Sequence, residues 1–282
     1  MSESTITDPG STDADADAAA AAANAADTAA RRRRLPVARV LTGGAVIYWW
    51  FEIIAVLTYY VVYSAVRNAD AAHPERARQH ALQLIRFQRT LGIYHEQPIN
   101  HWALHIQPLV IGANYYYGSL HFVVTIGTAV FLFSKFPDDY PRWRNTLAIA
   151  TAIALIGFRF WPLMPPRLLP HHFGFTDTLD KYPTFWSFNS GAMRRISNQF
   201  AAMPSVHCCW ALWCACVLVP RLKTTWAKTL AVLYPILTVA VIVITANHYF
   251  LDAVGGFLIL GVGYVAARIL TRAGRSTLAT AA

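Results

Sequence analysis

The stretch TLAVLYPILTVAVIVITANHYFLDAVGGFLILGVGYVAARIL, residues 229–270, decides the fold of this chain. It contains two apolar runs, residues 229–246 and 248–270, and the polar residues Asn247, His248 and Asp252 lie where they meet. About 20 mostly apolar residues are enough for a helix to cross a bilayer. The stretch therefore predicts two membrane-spanning helices with polar chemistry near one of their ends.

Four further apolar runs extend this pattern along the chain, at residues 40–66, 114–133, 145–164 and 204–220. The chain is 55% hydrophobic and only 14% charged, whereas an ordinary soluble domain is about 25% charged. The alternative is a large soluble helical core. Tryptophans near the ends of the runs favour an interfacial belt instead, at Trp49, Trp50, Trp102, Trp161 and Trp226. We expect an all-α polytopic membrane bundle of about six transmembrane helices.

The distribution of charge predicts the domain organisation and the orientation in the membrane. Residues 1–30 hold six acids and no Lys or Arg, which leaves 24 basic against 9 acidic side chains elsewhere. We interpret residues 1–34 as a disordered low-complexity cytoplasmic tail, residues 35–272 as the membrane domain and residues 273–282 as a cytoplasmic tail. The basic residues lie between apolar runs and fit anionic lipid headgroups, so nucleic-acid binding is not expected.

The positive-inside rule assigns the short basic connections to the cytoplasm. These connections carry Lys135, Arg142, Arg144, Arg221, Lys223 and Lys228. Two long connections, residues 67–113 and 165–203, then face outward. The first includes a predicted helix at about residues 74–91 whose arginines would lie on the membrane surface. The orientation predicts a multi-pass protein of the plasma membrane, with both termini cytoplasmic and an active site on the outer face.

Three short segments concentrate the polar chemistry at the predicted outward helix ends. They are Met164-Pro165-Pro166-Arg167, Met203-Pro204-Ser205-Val206-His207 and Asn247-His248-Tyr249-Phe250-Leu251-Asp252. Segments that are far apart in sequence but lie at one membrane surface are able to converge. We therefore expect a single site built from all three.

Each segment offers residues suited to handling a phosphate group. His248 and Asp252 are four residues apart and share a helix face, so the carboxylate is able to accept a proton from one imidazole nitrogen and leave the other as a nucleophile. Pro204 suits the first turn of a helix, where free amides from Ser205 to His207 would face an anion. Arg167 adds a planar fork that matches phosphate oxygens.

Taken singly, each of these features has an ordinary structural explanation, such as helix capping or headgroup anchoring. A transporter is the alternative from another functional class, with His207, His248 and Asp252 on an ion path. Transport sites usually lie near the membrane midplane in broken helices or repeats. Here the polar residues gather at one surface and no internal repeat is visible, which favours an enzyme.

The three segments resemble the signature motifs of the type-2 phosphatidic acid phosphatase superfamily, which includes lipid phosphate phosphatases and vanadium haloperoxidases. Pro204-Ser205-Val206-His207 resembles the second motif, usually Pro-Ser-Gly-His, and His248 and Asp252 match the third. Arg167 resembles the arginine of the first motif. Within the superfamily, the His-Tyr-Phe run before the Asp is similar to the branch that contains fungal inositol phosphorylceramide synthase.

The sequence departs from the family pattern at two positions. In the first motif, Arg159 and Arg167 are eight residues apart and the prolines precede Arg167, so Arg159 is a doubtful match. In the third motif, Ile242 stands where the family pattern has an arginine that holds phosphate, and the transferase branch that this chain resembles also lacks that arginine. The candidates for the missing cation are Arg86, Arg194, Arg195 and His121.

The resemblance implies a metal-independent reaction in two steps with no cofactor. His248 would attack phosphorus, His207 would protonate the leaving alcohol and Asp252 would orient His248, while Arg167 and Ser205 would bind phosphate oxygens. Possible substrate-binding residues are His121, Asn114 and Tyr117, for which an interfacial aromatic belt is the alternative. The expected substrate is a lipid phosphate or phospholipid. Hydrolysis and transfer of a phosphorylated headgroup to another alcohol both stay open.

Overall fold

The computed structural model of the protein describes residues 38–42, 46–68, 74–184 and 199–280. The predicted tail at residues 1–34 and the candidate cations Arg194 and Arg195 lie outside this part of the chain. The chain divides into two compact units, Met1–Val56 and Leu57–Ala282.

The first unit contains a short antiparallel hairpin of β1 (Ala38–Val40) and β2 (Val46–Tyr48), in which Arg39 pairs with Ile47. The helix α1 (Trp49–Asn68) follows β2 directly. The prediction of a continuous helix from residue 40 is therefore wrong over its first part. Two glycines follow β1 in the sequence, and glycine is about 1 kcal/mol less favourable than alanine inside a helix. The β-branched residues on either side pair as strands instead.

The second unit is built from helices. A π-helical turn, Tyr116–Leu120, joins the fourth helix to the fifth without a break. The helices after α1 are α2 (Pro74–Thr90), α3 (Glu96–Ala103), α4 (Gln107–Tyr115), α5 (His121–Lys135), α6 (Tyr140–Phe160), α7 (Thr178–Lys181), α8 (Val206–Leu218), α9 (Thr225–Ile244) and α10 (Phe250–Thr280). The predicted helix at residues 74–91 is confirmed as α2, whereas its predicted place on the membrane surface stays a prediction.

Three of these helical segments are long and apolar enough to cross a membrane, namely Gln107–Lys135, Thr225–Ile244 and Phe250–Thr271. Two shorter apolar helices accompany them, Trp49–Ala65 and Val206–Leu218. The remaining predicted span, residues 145–164, falls in α6, which carries Arg142, Arg144 and Arg159. The predicted all-α membrane helical bundle is thus confirmed, although within the described residues only three helical segments meet the length and composition of a span on their own.

Close helix packing brings α8 and α10 together in the middle of the bundle. α10 packs along α6, and α8 packs against α5, α9 and α10. A Cβ atom on Gly263 of α10 would lie 2.8 Å from the carbonyl oxygen of Thr146 in α6. Glycine at such a contact lets two helix backbones approach closely. The packing fixes the N-terminal ends of α8 and α10, where two of the predicted polar segments begin.

The connection after α6 ties the three predicted segments together through backbone hydrogen bonds. The Leu163 amide donates to the carbonyl of Phe200 at 2.8 Å, and the Arg167 amide donates to the carbonyl of Ala246 at 2.9 Å. The Tyr249 hydroxyl also donates to the carbonyl of Met164 at 3.1 Å. Residues 163–167 are therefore hydrogen-bonded to Phe200, shortly before the second segment, and to Ala246 and Tyr249, which lie just before and within the third.

Candidate active site

His248 is held by the backbone carbonyl of Ala202, the residue just before the second segment. Its Nδ1 atom lies 2.9 Å from the carbonyl oxygen of Ala202 and 3.3 Å from Oδ2 of Asp252. A carbonyl oxygen accepts and never donates, so Nδ1 carries the proton and donates it. The other ring nitrogen, Nε2, therefore has a lone pair in the neutral ring. The predicted pairing with Asp252 is present, but the shorter bond goes to Ala202.

Asp252 is completely buried beneath His248 in the first turn of α10. Its Oδ2 atom accepts from the Tyr249 amide at 2.9 Å, and its Oδ1 atom has no hydrogen-bond partner among the described residues. The Asp252 carbonyl accepts from the Ser205 amide at 2.9 Å. Asp252 thus connects the start of α10 to the start of α8 through both its side chain and its backbone.

The ring of His207 lies close to three other rings, those of Tyr117, His121 and His248. Its ring stacks on Tyr117 with centroids 4.2 Å apart, and the ring of His121 lies 4.3 Å away, edge to face. The centroids of His207 and His248 are 5.8 Å apart. The structure therefore brings together His207, His248, Asp252, Tyr117 and His121, all of which the sequence indicated.

His121 has its tautomer fixed in the same way as His248. Its Nδ1 atom lies 3.0 Å from the carbonyl oxygen of Tyr117, one helical turn earlier, to which it must donate. Its side chain is buried. A neutral His121 therefore offers Nε2 as an acceptor, which suits a hydroxyl group better than a phosphate oxygen.

The start of α8 differs from the predicted arrangement. The helix begins at Val206, and Ser205 is its N-cap, with Oγ accepting from the Cys208 amide. Pro204 therefore lies before the first turn, and the Ser205 amide is used by Asp252. The amides of Val206 and His207 lie in the first turn, where a helix supplies no backbone acceptors. Because the Ser205 hydroxyl accepts in the cap, its own proton is left to donate.

Arg167 is held at both its backbone and its side chain. It lies in a short 3-10 turn, Pro166–Leu168, and its amide bonds to Ala246, two residues before His248. Its Nη1 atom donates to Oδ2 of Asp177 at 2.9 Å. Its Nε atom is buried with no hydrogen-bond partner in the described part of the chain. The backbone of Arg167 is therefore fixed next to the third segment. Its guanidinium still has N–H donors that Asp177 does not use.

The other residues named from the sequence take different positions. Asn114 is buried, and its side chain bonds to the Thr178 carbonyl, the Thr178 hydroxyl and the Tyr182 carbonyl. Its predicted contact with substrate stays a prediction. Arg86 and Arg159 are exposed. Ile242 is fully buried in an apolar cluster with Cys208, Val243 and Ala253.

Two side chains that support the site, one fully buried and one mostly buried, were missed in the sequence. Glu96 of α3 accepts from the Phe250 amide at 2.9 Å through Oε1, which also accepts from Nε2 of Gln88. Asp177 pairs with Arg167. An Asp just before a short helix is a typical N-cap signal, but Glu96 had no comparable signal. Across the described residues, no three His, Cys, Asp or Glu side chains are grouped as a metal ion would require.

Comparison with known proteins identifies the family of the chain. A family model described as the PAP2 superfamily matches residues 82–266, a span that contains all of the residues bonded together above. No curated protein matches the chain, and no solved structure does. PAP2 denotes the type-2 phosphatidic acid phosphatases, whose members are generally phosphatases or phosphotransferases. The chain belongs to the PAP2 superfamily.

Proposed function

We propose that this protein is a membrane-embedded lipid phosphatase that cleaves a phosphate ester or pyrophosphate through a phosphohistidine. The observation that carries the proposal is the 2.9 Å contact between Nδ1 of His248 and the Ala202 carbonyl. It supports a nucleophilic role because the unprotonated Nε2 is the atom that attacks phosphorus. The substrate is a lipid phosphate, since family membership implies a phosphate ester and the apolar helices imply a membrane.

The reaction has two steps that balance in bonds and protons. In the first, Nε2 of His248 forms a bond to phosphorus while the bond from phosphorus to the leaving oxygen breaks, and His207 gives that oxygen a proton. In the second, water attacks phosphorus and gives a proton to His207 as the phosphorus–nitrogen bond breaks. Both histidines return to their starting states.

The remaining site residues stabilise charge during these steps. Asp252 lies 3.3 Å from Nδ1 of His248 and offsets the positive charge that develops on its ring. Arg167, the Ser205 hydroxyl and the first-turn amides of α8 bind the equatorial phosphate oxygens. Tyr117, stacked on His207, forms part of the wall of the site.

Transfer to an alcohol is the second candidate function, and His121 favours it. Its Nε2 acceptor and its position 4.3 Å from His207 suit a hydroxyl group that attacks the phosphohistidine. A phosphorylated headgroup of the inositol-phosphate type would then move to a lipid or another alcohol. The resemblance of the His248-Tyr249-Phe250 run to the inositol phosphorylceramide synthase branch supports the same alternative.

The proposed setting is the plasma membrane, with the site on the outer face and both termini in the cytoplasm. It is supported by basic residues at and between the helix ends, such as Lys135 at the end of α5 and Arg221 after α8. Residues 35–272 form the enzyme domain in this proposal, between the tails at 1–34 and 273–282. Membership of an enzyme family disfavours the transporter alternative.

The test is phosphate release by purified protein from a panel of lipid phosphates, with chelator present, beside the variant His248→Asn. Asparagine keeps an N–H donor near Ala202 but removes Nε2, so we expect a folded protein with activity lowered on the order of 10⁴-fold or more. Substrate labelled with ³²P should also leave an alkali-stable, acid-labile label on the wild type alone. An active His248→Asn variant would contradict the proposal, and transfer to added alcohol acceptors would favour the second candidate.

A further inference from the structure

Asp177 divides its two carboxylate oxygens between two tasks. Oδ2 accepts from Nη1 of Arg167 at 2.9 Å. Oδ1 accepts from the amides of Leu179 and Asp180 at 3.0 and 3.3 Å, which caps α7. The side chains of Arg167 and Asp177 are only 11% and 18% exposed. The ion pair is therefore largely shielded from water. A charged hydrogen bond is strong in such a shielded position.

The backbone on both sides of Asp177 is anchored by buried asparagines. The Thr176 amide donates to Oδ1 of Asn100 at 3.0 Å, and Nδ2 of Asn114 donates to the Thr178 carbonyl at 2.8 Å. Both asparagines are fully buried. Because the chain is fixed immediately before and after it, the Asp177 carboxylate is a rigid point. The guanidinium takes its position from the carboxylate rather than the reverse.

Arg167 retains donors that this pairing does not use. A guanidinium has five N–H groups in a planar fork, and the bond to Asp177 occupies one of them. The Nε atom is buried with no partner among the described contacts. A buried donor without an acceptor costs about 1–3 kcal/mol, and an oxyanion beside it would remove that cost. The amide of Arg167 is bonded to Ala246, near His248.

We propose that Asp177 is a positioning residue that orients Arg167 toward the phosphate group at His248. The inference rests on the proposed function, in which Arg167 binds the transferred phosphate. In the alternative role, the Asp177 carboxylate would compete with phosphate for Arg167. It would occupy the phosphate position and be displaced by substrate. The cap on Oδ1 and the anchored backbone favour orientation, since a displaced carboxylate would have to break the cap of α7.

The experiment is a double-mutant cycle with two readouts on purified full-length protein. They are inhibition by orthovanadate, an oxyanion that imitates the phosphoryl transition state, and release of phosphate from phosphatidic acid. Asp177→Asn preserves the N-cap, because asparagine caps as well as aspartate, but presents an amide in place of the carboxylate. We expect vanadate inhibition and kcat/KM to weaken about 10- to 100-fold, as when the partner that orients a ligand-binding group is removed.

The decisive comparison is made in the background of Arg167→Ala. If Asp177 acts through Arg167, adding Asp177→Asn to Arg167→Ala causes no further loss. The matched control is Asp180→Asn, an exposed carboxylate of the same short helix, for which we expect activity within about twofold of wild type. Asp177→Ser, which also caps but is too short to reach Arg167, replaces Asp177→Asn if that variant does not fold.

Three outcomes would overturn the inference. Losses that multiply in the double variant would assign Asp177 a structural role only. Tighter vanadate binding by Asp177→Asn would make it a competitor. If Asp177→Asn matches wild type in both readouts, Asp177 has no role in orienting Arg167. Each of these requires an active wild type, so a wild type that neither releases phosphate nor responds to vanadate overturns the proposed function as well.

Discussion

A side chain of any size on Gly256 would overlap the carbonyl oxygen of Ser205. The same Cβ atom would lie 3.2 Å from the Cys209 amide. Gly256 lies one turn after Asp252 in α10, and Ser205 is the N-cap of α8. The distance between the two helix starts, and hence between His207 and His248, depends on this glycine.

We predict that Gly256→Ala lowers phosphate release about 10²-fold. A displacement of the reacting groups by near 1 Å reduces the rate by about that factor. Overpacking should also reduce stability by about 1–3 kcal/mol. Gly261→Ala is the matched control on the same helix, since a Cβ atom there meets nothing within 4 Å. Activity and thermal unfolding in detergent test both variants. Equal behaviour of the two would show that the Gly256 contact relaxes without effect on the site.

The second prediction concerns the role of His207 as proton donor. Removing a general acid costs about 10²–10⁴-fold when the leaving group needs a proton. We expect His207→Ala to lose that factor in kcat/KM, which reports the first step only, with phosphatidic acid, whose leaving alcohol is a poor one. The loss in kcat/KM with p-nitrophenyl phosphate should be less than tenfold. The control is His105→Ala, which should keep both activities. His105 is an exposed histidine two residues after the end of α3. A uniform loss for both substrates would argue against proton donation by His207.

The third prediction concerns Ile242, where the family usually has an arginine. Because Ile242 is fully buried among apolar residues, a guanidinium there would lack both water and a partner. We expect Ile242→Arg to destabilise the fold by several kcal/mol and to abolish activity. Ile242→Val should cost only about 0.5–1.5 kcal/mol and keep activity. A stable, more active arginine variant would instead show that this position faces the phosphate.

The fourth prediction concerns Glu96, whose Oε1 atom accepts from the Phe250 amide and from Gln88. Replacement by alanine leaves both buried donors without an acceptor, at about 1–3 kcal/mol for each. We expect Glu96→Ala to lower the unfolding temperature and the activity together. Glu75→Ala is the control, because the Glu75 side chain is 75% exposed and surface substitutions change stability by about 0.5 kcal/mol or less. Unfolding monitored by tryptophan fluorescence compares the two.

Much of the fold followed from the sequence because helix formation in a membrane follows the apolar pattern. The helix α2 was expected within a residue at its end, and all six apolar runs contain helix in the structure. The hairpin of β1 and β2 was not expected, because the apolar run continues across Gly43 and Gly44. Hydropathy records apolar character, and it does not separate a short strand pair from the first turns of a helix.

The site was predicted less completely than the fold. The grouping of His207, His248 and Asp252 followed from their positions at helix ends, and the structure brings them together. The pairing of Arg167 with Asp177 was not predicted, because it depends on the path of a connection with little periodicity. Sequence patterns specify which side chains are available. They do not specify the bends that turn one side chain toward another.

The partner of Nδ1 in His248 is a peptide oxygen, which every residue type at position 202 supplies. A library of all substitutions at Ala202 would therefore leave this oxygen in place, and any loss it reported would come from overpacking at a buried position rather than from removal of the contact. Replacing the peptide link between Ala202 and Met203 with an ester weakens the oxygen as an acceptor without altering a side chain. The tautomer of His248 is therefore fixed by the main chain, and side-chain substitution does not remove the group that fixes it.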